Sequence, residues 1–419
     1  MTAPRTDTTP RSPSPLPGAW GVLASDAGRE LVASLGASPD ARAIERARVS
    51  HDAETVRLAA ELARVRSRAT DKWPPAIASG LLADRDGYEM ASGWHVARHK
   101  AARFERAGFG RVLDLCCGVG GDALGLLSRG LDVLAVDLDP TRAALCAHNA
   151  SLLASPHARL DTRVCDALDD ALPRDLPFHL DPARRSDAGR TLRYEDLLPG
   201  PEAIASLVGR HPAGAIKLNP GIDAALLPPG ELEIVSERGR LTQGVLWTGG
   251  LASDEAGRTA TLIGASGDAF SISGVPDRTD DTSPLEELLY TIDPSVERAD
   301  LVPSLLDRAG LRHVHPGLGL LTGPASHPVP AEAAPFLTAY RVQEECSWSP
   351  KRVRAALRSL ASRGIHAGEV VVKARAQTVD PDREQKRLRG DGDRTLTLFV
   401  LRFGDRGTRA ILSERLDGR

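Results

Sequence analysis

The residues best suited to chemistry stand in one stretch, Asp114-Leu115-Cys116-Cys117-Gly118-Val119-Gly120-Gly121-Asp122. Glycines let a backbone approach a ligand closely, and a helix starting behind them offers free N–H groups. A pyrophosphate-binding loop of a dinucleotide fold would read G-x-G-x-x-G. Here the spacing is Gly118-x-Gly120-Gly121, with Asp122 at the helix start. That carboxylate would repel a pyrophosphate and favours a ligand with a cationic end, such as an amino group or a sulfonium. Asp137, in Val136-Asp137-Leu138-Asp139-Pro140, can accept both hydroxyls of a ribose, the role an acid has after the second strand of nucleotide-binding folds. Asp166, followed by Ala167, can accept from an adenine amino group. A single acid at a strand end can equally cap the next helix or turn. The ordered set around one glycine loop is what points to a ligand.

Such a set works only if the acids sit at successive strand ends. Segments 112–115, 131–136, 159–165, 178–180 and 215–218 read as short apolar strands, with helices over 123–127 and 141–153 between the first three. Strands alternating with helices make βαβ units and a parallel sheet. Beyond Gly230 the pattern changes to alternation (Leu232 and Ile234, Val245 and Trp247, Ala260 and Leu262), the texture of an antiparallel edge hairpin. The fold class expected is therefore α/β, a Rossmann-like sheet that is parallel with an antiparallel edge hairpin.

Upstream, the apolar residues have helical spacing: Leu31, Val32 and Leu35, then 41–49, then Val56, Ala59, Ala60, Leu62 and Ala63. Pro74-Pro75 interrupts, and a basic helix resumes over 95–106. His95 and His99 are four apart on it, but no acid or thiolate shares their register, so they read as surface residues and not as metal ligands. The expected divisions are a Pro-rich disordered tail over 1–17, a helical domain over 18–107, the ligand-binding domain over 108–283, a connecting segment over 284–334 and a small α+β domain over 335–419. In that last part, strands over 338–342, 370–373 and 395–402 alternate with helices over 349–363 and 381–388, and 406–412 reads as a further strand.

The stretch 112–150 resembles the class I S-adenosylmethionine-dependent methyltransferases. Within them C-C-G-V-G-G, then D-L-D-P, then H-N-A is most similar to the trimethylguanosine synthase branch of RNA methyltransferases. The C-terminal part resembles the THUMP-like domain that ends certain bacterial methyltransferases, through Val379-Asp380-Pro381 and the turn Gly390-Asp391-Gly392-Asp393-Arg394. The resemblance implies S-adenosylmethionine as cofactor, bound by Asp114, Cys116, Gly118, Gly120, Gly121, Asp122, Asp137, Asp166 and Ala167.

Where such enzymes keep their catalytic motif, this chain has Asp181-Pro182-Ala183-Arg184-Arg185. Amino-group methyltransferases carry D/N-P-P followed by an aromatic there. The acid and a backbone carbonyl accept hydrogen bonds from an exocyclic amine and expose its lone pair; the aromatic stacks on the base, worth ~1–3 kcal/mol. Asp181 and Pro182 can serve the amine. Arg184 can stack through its guanidinium plane or bind a phosphate; alternatively it is a surface ion-pair partner. Lys217, at the end of the fifth strand, reaches a substrate phosphate or pairs with one of the acids. Cys116 and Cys117 lack an acid–base partner and read as packing residues, not nucleophiles.

Composition narrows the setting. The 419 residues are 42% hydrophobic and 26% charged, enough to bury a core. No apolar run approaches the ~20 residues of a membrane span. Five cysteines without a C-x-x-C pair argue for a reduced, cytoplasmic compartment and against structural zinc. The net charge of −3 hides an asymmetry: residues 351–419 hold 17 Lys+Arg against 9 Asp+Glu, a balance of +8, leaving −11 for the rest. A basic tail on an acidic body suits an anionic partner, nucleic acid being the commonest. The function expected is methylation of an amino group of a base in RNA, with no metal. The alternatives are a protein or small-molecule acceptor, or an RNA-binding protein on a degenerate methyltransferase fold. The sequence leaves the oligomeric state open.

Overall fold

The computed structural model describes residues 16–153, 158–184, 193–253, 257–277, 279, 281–315, 317–375, 378–403 and 407–416, with the side chain of Arg184 outside that set. Most of the expected tail thus lies outside the described residues. By its internal contacts the chain divides into two compact units. The first runs to Glu237 and adds 242–255 and 263–269; the second holds 238–241, 256–262 and everything from Phe270.

Among the described residues the first unit opens with α1 (Gly18–Ala24), α2 (Asp26–Leu35), α3 (Ala41–Arg48), α4 (Ala53–Ala69), α5 (Pro75–Ala78), α6 (Arg85–Met90) and α7 (Trp94–Arg106). Ser25, Asp40, Asp52 and Asp84 cap four of these helices by accepting from free N–H groups of the first turn. Their apolar faces form one cluster around Leu23, Val56, Leu62 and Leu82, which also takes in Val119, Leu124 and Leu145. The helical layer is therefore packed on the glycine loop and the two helices that follow it.

Next come β1 (Arg111–Leu115), α8 (Gly121–Ser128), β2 (Asp132–Asp137), α9 (Pro140–Ala150), β3 (Leu160–Val164), β4 (Phe178–Leu180), a two-strand ribbon of β5 (Ala183–Arg184) and β6 (Leu197–Leu198), α10 (Pro201–Arg210), β7 (Ala213–Leu218), β8 (Glu231–Glu237) and β9 (Arg240–Gly249). Within this unit the sheet runs β8-β9-β7-β4-β1-β2-β3. β1 lies parallel to β2 and to β4, and β7 is parallel to β4 but antiparallel to β9. The expected parallel sheet with an antiparallel edge is present. The chain winds from β1 through β2 to β3 on one side and restarts at β4 on the other. The order thus reverses between β1 and β4, and in open α/β sheets ligands bind in the crevice beyond the carboxyl ends at such a point. β10 (Arg258–Ile263) and β11 (Ala269–Gly274) make a hairpin, tied by Thr259–Ser273 and Thr261–Ser271 hydroxyl pairs of 2.8 Å each.

The second unit contains β12 (Leu288–Ile292), α11 (Pro294–Arg298), α12 (Val302–Ala309), β13 (Arg312–His313), β14 (Leu320–Gly323), β15 (Leu337–Ser347), α13 (Pro350–Ser362), β16 (Ala367–Ala374), α14 (Pro381–Leu388), β17 (Arg394–Arg402) and β18 (Thr408–Arg415). Its sheet has the order β13-β14-β12-β15-β18-β17-β16. Residues 284–334 are thus not a connecting segment. β12 pairs with β15 from Leu288↔Arg341 to Ile292↔Leu337, so the segment supplies three strands of the same sheet. Those strands are only five, two and four residues long, too short for the alternation by which strands are read to show.

Candidate active site

A cavity of about 540 Å³ opens at the carboxyl ends of β1, β2 and β4. It is lined by the glycine loop, by Asp137 to Asp139, by Cys165 to Ala167, by Asp181 and Ala183, and by α6 through Asp86, Gly87 and Met90. Its size is that of a small-molecule site.

The loop after β1 is bent at three left-handed residues: Cys116 (φ 58°), Gly118 (φ 54°) and Gly120 (φ 87°). A non-glycine residue in this region carries strain, and such residues cluster at ligand sites. Gly120 does not line the cavity; a Cβ there would lie 2.9 Å from Cys146 Sγ, so its role is close packing on α9. Gly121 does line it, and a Cβ would meet Ala91 and Ser92 at 3.0 Å. Burial, and then Asp137, push the Cys116 thiol up to about 12. Such a thiol is no nucleophile, in keeping with the packing role.

Asp137 is oriented from behind, its Oδ2 accepting from Gly118 N (2.9 Å) and its Oδ1 from Asp139 N (3.0 Å). Each oxygen keeps a second lone pair for a ligand hydroxyl. Asp166 is exposed, and its Oδ1 accepts from Leu168 N (2.8 Å), the turn-capping geometry open to any strand-end acid. Ala167 is buried beside it.

Asp114 and Asp122 both line the cavity and form its floor. Asp122 is paired with Lys100, whose Nζ stands 2.6 Å from its Oδ1, and both side chains are buried. Burial alone would raise the Asp122 pKa; the basic groups around it, Lys100 first and then His179 and Lys217, together more than offset it and hold the carboxyl well below its usual range. Asp114 is buried too, its Oδ1 bonded to His179 Nδ1 at 2.8 Å, while His179 Nε2 stands 3.1 Å from Lys100 Nζ. This network assigns the imidazole proton to Nδ1, leaving Nε2 to accept. Burial pushes the Asp114 pKa up, opposed by the His179 hydrogen bond. Ser92 donates to Asp122 Oδ2 (2.9 Å) and closes the set. Asp114 is a lining residue of the cavity, and its buried Oδ2 has no hydrogen-bond partner among the described residues. Lys100 and His179 were invisible in the sequence reading, lying 22 residues before and 57 after Asp122 with no motif to join them.

At the other end of the cavity Asp181 Oδ2 receives Lys217 Nζ at 2.7 Å, so Lys217 pairs with an acid. Pro182 is buried and does not line the cavity; Ala183 does. Arg184 has its backbone in β5, and its expected stacking or phosphate contact lies outside the described side chains. Exposed Met90, Leu138 and Leu198 give the cavity an apolar rim. His99 is not a surface residue: its Nε2 stands 2.7 Å from Oε1 of buried Glu233. Among the described residues no group of three or more His, Cys, Asp or Glu could hold a metal ion. No helix of those residues is long and apolar enough to cross a membrane.

Three features fit a nucleoside ligand with a cationic end: an open acid after β2, a glycine cradle at the reversal of strand order, and a buried carboxylate oxygen left without a partner beside it. The fold is that of a Rossmann-like methyltransferase. Known proteins agree. The sequence profile of the RNA cap guanine-N2 methyltransferases matches residues 109–194, and that of THUMP-like domains matches 337–415. Two uncharacterized S-adenosylmethionine-dependent methyltransferases, from Mycobacterium tuberculosis strains CDC 1551 / Oshkosh and ATCC 25618 / H37Rv, are 30% identical over 338 residues, covering 78% of this chain and 86% of theirs. The crystal structure of a methyltransferase candidate from Porphyromonas gingivalis W83 superimposes with a TM-score of 0.70 at 20% identity, over 93% of this chain and 99% of that one, and so shares the fold. The chain belongs to the class I S-adenosylmethionine-dependent methyltransferases that end in a THUMP-like domain.

Proposed function

We propose that the protein methylates an amino group of a base in RNA. The observation that carries this reading is the position of Asp181 in the same cavity as Asp137 and the glycine loop. When bound, S-adenosylmethionine supplies a methyl group on a sulfonium that is already an excellent leaving group. What remains for the chain is positioning and electrostatics. Gly118 and Gly121 give room for a close approach. Asp137 accepts the ribose hydroxyls, Asp166 and Ala167 meet the adenine edge, and the unpartnered Asp114 Oδ2 faces the cationic end. Asp122 acts through Lys100 as part of the floor.

Asp181, bonded to Lys217, accepts from the exocyclic amine of the acceptor and aims that amine's lone pair at the methyl. Ala183, Met90 and Leu198 give an apolar slot for a flat base. Two further matches support an RNA acceptor: the RNA cap guanine-N2 methyltransferase profile over the site and the THUMP-like profile over the basic C-terminal part. On the exposed face of α13, Lys351, Arg354 and Arg358 are three and four residues apart and suit a phosphate backbone. The free cysteines of the described residues suit a cytoplasmic setting.

Radiolabelled S-adenosylmethionine, offered with total RNA and with protein extract side by side, tests the reading. Label in RNA, recovered as an N-methylated base, is the expected result. Label in protein alone, or none in either, would refute it.

A further inference from the structure

Of the 53 Lys+Arg in the chain only six are lysine: Lys72, Lys100, Lys217, Lys351, Lys373 and Lys386. The three in the first unit converge on one short stretch of the cavity wall, residues 88–92. Lys72 Nζ donates to the carbonyls of Tyr88 (2.6 Å), Glu89 (3.1 Å) and Ala91 (3.0 Å). Lys217 Nζ donates to the carbonyl of Met90 (2.7 Å), and Lys100 Nζ to Ser92 Oγ (3.3 Å). Each residue from Tyr88 to Ser92 is thus held through an oxygen by an ammonium.

The local cause is the end of α6. Its last carbonyls have no partner inside the helix, and they form its negative pole. Water ordinarily satisfies such groups; here lysines from two other elements do. Three carbonyl oxygens converging on one nitrogen suit an ammonium, which directs three donors from a point. A planar guanidinium cannot do this. Of the chain's six lysines, Lys72 stands where that geometry is required.

α6 runs the length of the cavity. At Gly87 it touches the glycine loop, where a Cβ would lie 2.6 Å from Val119 Cγ1. At Met90 it reaches the Asp181 end, because the same Lys217 Nζ bonds both Met90 O and Asp181 Oδ2. We propose that Lys72 and Lys217 are positioning residues that fix the wall over 88–91 and thereby set the slot in which the acceptor meets Asp181. This rests on the methyl-transfer reading above.

The clamp is sensitive to protons. Burial, then the neighbouring Lys217 and Arg68, bring the Lys72 pKa down to about 8 against the opposing pull of Glu89 and Glu237. A neutral amine has two donors for three carbonyls, so the wall loosens as Lys72 deprotonates.

The test uses the full-length protein with S-adenosylhomocysteine as the probe. In Lys72→Met, amide exchange over residues 88–94 is expected to rise at least about tenfold, the loss of charge-assisted hydrogen bonds. Affinity for the probe, by calorimetry, is expected to stay within about threefold, since the loop and Asp137 are untouched. Lys72→Arg keeps the charge and is expected not to restore protection. In the wild type, exchange of 88–94 corrected for intrinsic rate should step up as pH passes about 8, with no such step in Lys72→Met. Unchanged exchange in Lys72→Met, or a wild type without the step, would overturn the clamp. Should Lys72→Met loosen the whole sheet, the wild-type pH series decides alone. Failure of the wild type to bind S-adenosylhomocysteine would count against the methyl-transfer reading and would leave the exchange result standing.

Discussion

The two units handle charge in opposite ways. The first buries it: Lys100 is 2% exposed, Asp114 1% and Asp122 7%, all beneath one cavity. The second spreads it over the surface in pairs such as Arg363–Glu344, Arg394–Glu414 and Arg409–Glu345, whose side chains are each about a third to a half exposed. Exposed pairs contribute about 0–1 kcal/mol each, whereas removing one partner of a buried pair costs about 3–5 kcal/mol. A fold gains little from buried ions that well-packed apolar residues would not also give. Under the proposed function their collection under the glycine loop serves the geometry offered to a ligand more than stability, while the cations of these second-unit pairs stay at the surface.

The largest effect that would break this contrast is at Lys100. Lys100→Met takes the ammonium partner from buried Asp122, and is expected to cost about 3–5 kcal/mol in denaturant unfolding; a loss below about 1 kcal/mol would place the floor with the surface pairs. At Asp181 the expected loss is in turnover: Asp181→Asn should slow methyl transfer about 10²–10⁴-fold, the range for a lost acid–base or amine-accepting group. Calorimetry should find its cofactor affinity nearly intact, and full transfer activity would remove Asp181 from the chemistry. Asp137→Ala should weaken cofactor binding by ~1.5–3 kcal/mol, again by calorimetry.

Acid sharpens the contrast with a smaller effect. The folded-state pKa of Asp122 lies below its unfolded value near 3.8, so its contribution is complete above that value and is lost as pH falls toward the folded pKa. Unfolding free energies measured from pH 6 down to about 3 should show this decline in the wild type and a shallower one in Lys100→Met. The smallest effect is expected in the second unit. Arg394→Ala should change stability by less than about 1 kcal/mol. Replacing Lys351, Arg354 and Arg358 together by Gln should leave folding alone yet flatten the salt dependence of RNA binding, by roughly 0.7 in log–log slope for each phosphate no longer neutralised. RNA titrations at several salt concentrations read this directly, and an unchanged slope would make α13 a merely solvated face.

Much of the first unit was legible in the sequence because its strands are uninterrupted apolar runs and its loop is marked by glycine. β1, β2 and β4 lie within a residue of their expected bounds, and Asp137 and Asp181 stand at the strand ends where they were read. What escaped has a common cause. α6 is only six residues, Arg-Asp-Gly-Tyr-Glu-Met, too short for a helical period to show. Its stability comes from Asp84 at one end and Lys72 at the other, a contact 16 residues away in sequence. The Lys100–Asp122–His179 floor and the Lys217–Asp181 pair are likewise long-range, and spacing along one chain carries no trace of them. Asn149 was noticed only as part of H-N-A. It is fully buried, ties Leu82 N and O to the carbonyl of Val119, and so joins the helical layer to the glycine loop.

The pairing of β12 with β15 bears on how such a protein can be divided and recombined. The THUMP-like match begins at Leu337, the first residue of β15, as if the last part of the chain were a portable cassette. In the molecule β15 is an interior strand, bonded to β12 along one edge and to β18 along the other. A piece cut at that border would bare a row of unpaired backbone N–H and C=O groups along β15, the kind of edge that recruits a second copy of itself. The transferable part for grafting or domain exchange therefore begins upstream of Leu288, nearly fifty residues before the family border.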